Sequence, residues 1–215
     1  MDVQWPIFLA LVLVSYISPG PDTVVILRSS AESVRSGLLA SAGALCGLTV
    51  HMMISAVGLS AVLVAVPGSL TVVSLVGALY LAYLGVGALR AGRRVRRLDD
   101  GGRTLGGTAQ SEHPGWGAFR RALVTNVTNP KVILFFVAVL PQFVDEASGW
   151  PVGVQLGILG AADVIMGVIY LPLFVLFGSR VLSGLRGRGL ANLELVVGVL
   201  LLVFAGGLVL DTMDG

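Results

Sequence analysis

Four ionisable side chains lie inside long apolar stretches of this sequence. They are Asp22, His51, Lys131 and Asp163. An ionised acid or base near the centre of a membrane helix costs about 2.5–3.5 kcal/mol on insertion scales, so such residues usually face a water-filled pathway or one another. An acid and a base could hold the two charged ends of a zwitterion, and histidine, which titrates near neutral pH, could relay protons. These residue types therefore indicate a binding site for a small zwitterion.

Asp22 directly follows a helix-breaking run, Ser18–Pro19–Gly20–Pro21. Proline removes a backbone donor and clashes with the preceding turn, and glycine loosens the helix further. Within a bilayer, each freed backbone polar group costs several kcal/mol unless protein or trapped water satisfies it. We therefore expect this break to face other helices or a polar cavity.

A second break, Thr-Asn-Pro-Lys, lies at residues 128–131. When the prolines of the two breaks are aligned, Asp22 pairs with Lys131, which places opposite charges at equivalent depths. Broken helices present N–H groups to anions and carbonyl groups to cations, and the amides of Asn126 and Asn129 could satisfy the freed backbone of helix 4. The predicted substrate-binding residues are Pro19, Gly20, Pro21, Asp22, Asn126, Asn129, Pro130 and Lys131.

The composition is that of a membrane protein. The 215 residues are 55% hydrophobic and 12% charged, with a mean hydropathy of +0.92. We expect no cleaved signal peptide, because the first apolar segment lacks a basic region before it and a small-residue cleavage site after it. The single Cys46 excludes an intramolecular disulfide and a cysteine metal cluster, and we expect no metal or other cofactor. The net charge of +2 gives no reason to expect a nucleic-acid partner.

Six segments are long enough to cross about 30 Å of hydrocarbon. They cover residues 5–27, 38–66, 70–89, 122–144, 152–177 and 191–210. Thirteen of the 14 Lys and Arg residues fall in three alternate connecting loops. By the positive-inside rule, the arginine-rich loops are cytoplasmic and both termini lie outside.

An arginine-rich, glycine-rich linker at 92–117 divides the chain into halves at 1–91 and 118–215. Each half has three predicted helices, and because three is odd, the second half must enter the membrane from the opposite side, as in inverted-repeat transporters. The predicted fold is therefore an all-α membrane protein with six transmembrane helices in two inverted repeats, helices 1 and 4 being interrupted. His51 and Asp163 lie in helices 2 and 5, and we predict that they couple transport to protons.

The same residues also have structural interpretations. Asp22 and Lys131 could form a buried ion pair that only fixes helix packing. His51 could form a helix-to-helix hydrogen bond, and Asp163 could be a packing residue rather than a functional one. Glu194, near the cytoplasmic end of helix 6, is assigned no catalytic role.

Several motifs, in order and spacing, are similar to those of a known family. They are Ser-Pro-Gly-Pro-Asp at 18–22, the segment 43–51, Tyr-Leu-Ala-Tyr-Leu-Gly at 80–85, Asn-Pro-Lys at 129–131 and Leu-Pro-Gln-Phe-Val at 140–144. On these motifs the chain resembles the LysE/RhtB amino-acid efflux family along nearly its whole length. The resemblance implies a dimeric inner-membrane exporter driven by the proton gradient, with its substrate site at the motifs of helices 1 and 4. The linker is longer and richer in arginine than the family pattern.

The sequence therefore predicts a multi-pass exporter that moves an amino acid or small zwitterionic derivative across the inner membrane in exchange for protons, by alternating access. The expected partners are an amino-acid-like molecule, protons, the lipid bilayer and a second copy of the chain. An intramembrane enzyme is one alternative, although the sequence lacks a His-x-x-x-His metal motif and no oxyanion-hole motif accompanies Ser18 and His51. A passive channel for small solutes is the other alternative.

Overall fold

The computed structural model describes residues 3–18, 20–66, 68–99, 116–184 and 188–214, and every regular element within these ranges is helical. The α-helices are α1 (Trp5–Ile17), α2 (Pro21–Glu32), α3 (Val34–Ile54), α4 (Ser60–Ala65), α5 (Ser69–Asp99), α6 (Trp116–Val127), α7 (Pro130–Leu134), α8 (Val152–Gly184) and α9 (Arg188–Asp214). Short π-helical turns at Ser55–Leu59 and Phe135–Val139 continue α3 and α7, and 3₁₀ turns cover Leu140–Phe143 and Glu146–Ser148.

Three helical stretches are long and apolar enough to cross a membrane, namely Val34–Ala65, Thr71–Arg94 and Val152–Phe177. Two further helix pairs pass the same test together, α1 with α2 and Trp116–Val127 with Pro130–Phe143. The described residues therefore provide up to five spans by length and composition. The predicted sixth span coincides with α9, whose apolar stretch Glu194–Gly207 is shorter. A sixth crossing, the inverted repeat and the orientation of the loops stay predictions.

Both predicted helix interruptions are present. The first pair of helices bends by 56° and the second pair by 46°. At the first break Gly20 is extended and Pro21 begins α2, while the Gly20 N–H donates to the Thr23 hydroxyl at 3.3 Å. At the second break Asn129 caps α7, and its Oδ1 accepts from the Lys131 N–H at 3.0 Å. Both second helices therefore begin with a proline, which has no N–H to leave unsatisfied.

Glycines let α3 and α6 approach each other closely. A Cβ atom on Gly43 would collide with the carbonyl oxygen of Phe119, and one on Gly47 would collide with Oδ1 of Asn126. Helix α8 also contacts α3, where Gly160 lies against Met52. The contacts at Gly43 and Gly47 fix the rotation of α6, and hence the direction in which Asn126 points.

Helix α9 packs along α5, its main partner among the described elements. Gly85 and Gly198 allow this contact, because a Cβ on Gly85 would lie 2.9 Å from the Gly198 carbonyl oxygen. Helix α5 continues to Asp99, into the predicted linker 92–117, and residues 100–115 lie outside the described part of the chain. The division into two repeats and a linker therefore stays a prediction.

Candidate functional site

A cavity lies where the two broken helix pairs meet α3 and α8, and we call it the central cavity. It offers about 60 Å³ of space for the centres of water-sized molecules, which is well above the ~10–15 Å³ that a cavity needs to hold one water. Six of the predicted site residues line it, namely Gly20, Asp22, Asn126, Asn129, Lys131 and Asp163. The structure thus gathers residues that are up to 143 positions apart in the sequence (from 20 to 163) around one small space.

The Asp22 carboxylate is held on one side only. Its Oδ2 accepts hydrogen bonds from the side-chain amides of Asn126 and Asn129, both at 2.9 Å. Its Oδ1 is buried and has no hydrogen-bond partner among the described residues. A carboxylate can accept about four hydrogen bonds, so Asp22 retains acceptor capacity for a cationic group.

The two asparagines differ in their second contacts. Asn129 is the N-cap of α7, so its Oδ1 satisfies the Lys131 N–H while its amide binds Asp22. The Oδ1 of Asn126 lies against Gly47 and is buried without a hydrogen-bond partner in the part of the chain that the structure describes. The amides thus hold the acid, and Asn129 also satisfies freed backbone as the sequence predicts.

Lys131 reaches across to the first break. Its Nζ donates to the carbonyl oxygens of Ser15 and Ser18, at 2.6 and 2.7 Å. These carbonyls belong to the end of α1, where helix carbonyls lack intrahelical partners and attract cations. An ammonium group has three donors, so one N–H is left for an anionic group.

Asp22 and Lys131 line the same cavity without sharing a hydrogen bond, since each has other partners. A contact ion pair that only fixes packing is therefore not the arrangement found. Instead, both side chains line the central cavity. The Asp22 carboxylate keeps an unused acceptor oxygen, and the Lys131 ammonium keeps an unused N–H donor.

Asp163 and His51 occupy different positions. Asp163 is 4% exposed and lines the central cavity, and its carbonyl oxygen accepts from the Tyr16 hydroxyl at 3.1 Å. His51 does not line the cavity. Its Nε2 is 3.3 Å from the carbonyl oxygen of Asn126, and its ring packs on Phe136 at 5.7 Å. This is the helix-to-helix hydrogen bond that the sequence allowed.

The prolines frame the site without lining it. Pro21 and Pro130 begin α2 and α7, and neither lines the central cavity. Pro19 lies outside the described residues. The role of the predicted residues as substrate or proton ligands stays a prediction.

Sequence reasoning missed the aromatic wall of the cavity. Tyr16 packs on Tyr170 with ring centroids 5.3 Å apart, and Tyr170 stacks on Phe174 at 5.8 Å. All three line the cavity, as does the Thr23 side chain. Aromatic residues in apolar segments are usually core residues, so their position gave no functional signal.

Two observations concern the alternative of an intramembrane enzyme. No group of three or more His, Cys, Asp or Glu side chains that could hold a metal ion occurs among the described residues. Ser18 and His51 make no hydrogen bond to each other, because the His51 ring is turned to Asn126. The central cavity thus combines a few charged and polar groups with a mainly apolar wall.

Comparison with known proteins agrees with this geometry. The sequence model of the LysE type translocator family matches residues 13–212. An uncharacterized membrane protein of Pseudomonas aeruginosa is 33% identical over 185 residues, which is 86% of this chain and 83% of the relative. Leucine efflux proteins of Salmonella choleraesuis and Salmonella typhimurium are each 33% identical over 164 residues, covering 76% of this chain and 73% of each relative. No solved structure matches the chain.

The family match indicates a transporter rather than an enzyme, and the apolar helices indicate a protein embedded in a membrane. The match runs through both helix breaks and every residue predicted for the site. The chain therefore belongs to the LysE type translocator family.

Proposed function

We propose that this chain exports a small neutral amino acid, with leucine as the first candidate, outward across the inner membrane. One observation carries the proposal: the open Oδ1 of Asp22 and the third N–H of Lys131 stand on the wall of one small cavity. An ammonium group and a carboxylate on one carbon are complementary to that pair. The leucine efflux proteins among the relatives support this choice of substrate.

The substrate's ammonium group would bind Asp22, and its carboxylate would bind Lys131 and the N-terminal end of α2, where Gly20 and Thr23 line the cavity. The remaining wall is mainly apolar. It includes Ile26, Leu48, Phe135 and Leu171. An aliphatic side chain would bury its surface there at about 25 cal/mol per Å², which favours leucine over polar amino acids.

Transport would proceed by alternating access between two inverted halves, at 1–91 and 118–215. The two broken spans support this arrangement, because each ends in a helix that begins with proline and carries a site residue, Asp22 or Lys131. Asp163 in the cavity wall, and His51 behind Asn126, would exchange a proton as the halves rock. We propose a homodimer with both termini outside and cytoplasmic arginine-rich loops.

The test is leucine counterflow in proteoliposomes. The Asp22→Asn variant loses the charge that would bind the ammonium group, and hydrogen bonds to charged groups contribute about 1.5–3 kcal/mol. We expect counterflow at limiting leucine to fall at least ~10-fold. Glu32→Gln is the matched control, because Glu32 is exposed at the far end of the same helix. Equal counterflow by Asp22→Asn and wild type would refute the proposed binding mode.

An imposed pH gradient separates coupled export from a passive channel. With coupling, a proton gradient drives leucine against its own gradient. A channel would only equilibrate leucine, whatever the pH difference.

A further inference from the structure

A second, larger cavity lies on the other side of Lys131, between the helix breaks and the α5–α9 pair. It offers about 370 Å³ for the centres of water-sized molecules, against about 60 Å³ in the central cavity. Lys131, Gly20 and Asn129 line both cavities, so the two spaces share one wall. The larger cavity has room for a whole amino acid.

An acidic side chain lies in the wall of this second cavity. Glu194 of α9 is 7% exposed. No hydrogen bond to its carboxylate occurs within the described ranges, and the nearby Lys131 ammonium is engaged by Ser15 and Ser18 instead. Buried charges are costly unless they are paired. Lys131 is a cationic neighbour of Glu194 but makes no hydrogen bond to it, so the Glu194 carboxylate keeps its acceptor capacity for a cationic ligand.

Tyr80 is a second and independent observation. Its side chain is 7% exposed and lines the cavity. Its hydroxyl is buried and has no hydrogen-bond partner among the residues that the structure describes. Buried hydroxyl groups nearly always have a partner, so an exception calls for an explanation. A ligand in the cavity that can both donate and accept hydrogen bonds would supply one.

Tyr83 also lines this cavity, three positions along α5 from Tyr80, and its side chain is 73% exposed. Residues three apart on a helix are neighbours on its surface. Cations are attracted to aromatic faces. The wall therefore combines a carboxylate, an unpaired phenol and an aromatic ring, a set that recognises an organic ammonium group.

We propose that the second cavity is a binding site for the primary ammonium group of the transported amino acid, with Glu194 as its counter-ion and the Tyr80 hydroxyl as a second ligand. This inference rests on the proposed function, since it places a second substrate position on the route to or from the central cavity. Lys131 stands between the two positions and contacts both spaces.

The probe is labelled 3-methylbutylamine, which is leucine without its carboxylate. Equilibrium binding is measured on the full chain in nanodiscs of phosphatidylcholine and phosphatidylglycerol, which contain no primary amine. The Asp22→Asn variant is the background, because it removes the acid proposed to bind the ammonium group in the central cavity. Asp163, the second acid of that cavity, is unchanged in every variant compared. We expect saturable amine binding to persist in this variant, and Glu194→Gln added to it should weaken that binding at least ~10-fold, the loss expected for a charge-assisted hydrogen bond.

Two further variants test the role of the Tyr80 hydroxyl and provide a control. Tyr80→Phe in the same background keeps the ring and removes only the hydroxyl, so amine binding should weaken about 2- to 10-fold. Glu32→Gln in the same background should leave amine binding unchanged, since Glu32 is exposed and lines neither cavity. Each variant should elute as a single peak in size-exclusion chromatography.

Loss of all saturable amine binding in Asp22→Asn alone would overturn the second site, as would equal binding with and without Glu194→Gln. Phosphatidylethanolamine also carries a primary ammonium group. If adding this lipid to the nanodiscs abolished amine binding, the site would belong to a lipid headgroup and not to the substrate. A failure of the proposed function would give a different result. Wild-type protein would then show no leucine counterflow but would still bind the amine in the second cavity.

Discussion

The ammonium group of Lys131 lies 2.7 Å from the carbonyl oxygen of Ser18, so the base of the second helix break is tied to the open end of the first. The same ammonium also binds the Ser15 carbonyl at 2.6 Å. Lys131 thus satisfies carbonyl groups freed at the first break, although it lies 113 positions after Ser18 in the sequence. Any motion that separates the two breaks must exchange these hydrogen bonds for others.

Replacing Lys131 with methionine tests this tie. The change keeps an unbranched side chain, one atom shorter, but leaves the Ser15 and Ser18 carbonyls without their donor. We expect leucine counterflow to fall below one tenth of wild type and the free energy of unfolding to fall by about 1.5–3 kcal/mol. Arg35→Gln is the control, since Arg35 is exposed at the start of α3. Wild-type counterflow in the methionine variant would contradict the assignment.

Gly47→Ala tests how Asn126 is positioned. The added Cβ would collide with Oδ1 of Asn126, whose amide holds Asp22. We expect the collision to cost about 1–3 kcal/mol and the KM for leucine to rise. Gly58→Ala is the matched control in the same span, where the added Cβ meets only the tip of Ile54 at 4.0 Å. Thermal unfolding and counterflow measure the two effects, and equal behaviour of both variants would show that Asn126 can move without loss.

Asp163→Asn tests the proposed proton coupling. The change removes a titratable group from the cavity wall and leaves the hydrogen bond from Tyr16, which goes to the backbone carbonyl. We expect leucine exchange to persist and accumulation driven by a pH gradient to disappear. The two assays are run on the same proteoliposomes. If the variant still accumulated leucine as wild type does, Asp163 would be a packing residue.

Gln155→Ala tests the loop between the second broken span and α8. Gln155 is fully buried, and its Oε1 accepts a hydrogen bond from the Asp145 N–H at 2.8 Å. Its Nε2 lies within 3.1 Å of three acceptors, on Asp145, Ser148 and Trp150. Each lost hydrogen bond costs about 0.5–1.5 kcal/mol. We therefore expect a free energy of unfolding lower by about 2–4 kcal/mol, measured by thermal unfolding. Gln4→Ala, at an exposed position, should change little.

The local features of this protein follow from the sequence. A proline lacks a backbone donor and clashes with the preceding turn, so the breaks at Gly20–Pro21 and Asn129–Pro130 were predictable from the sequence, and both are present. The rule is not general, since Pro172 lies inside α8. A charged residue inside an apolar segment is expected to avoid lipid, and Asp22, Lys131 and Asp163 all line the central cavity.

Only the tertiary structure decided which partner each polar atom takes. The rotation of α6 against α3, set by Gly43 and Gly47, turns Asn126 to Asp22 and gives His51 the Asn126 carbonyl rather than a place in the wall. The aromatic wall and the second cavity with Glu194 depend in the same way on how distant helices pack. Sequence periodicity says that a residue lies within a span, but a side chain's neighbours depend on helix rotation and approach, which long-range contacts determine.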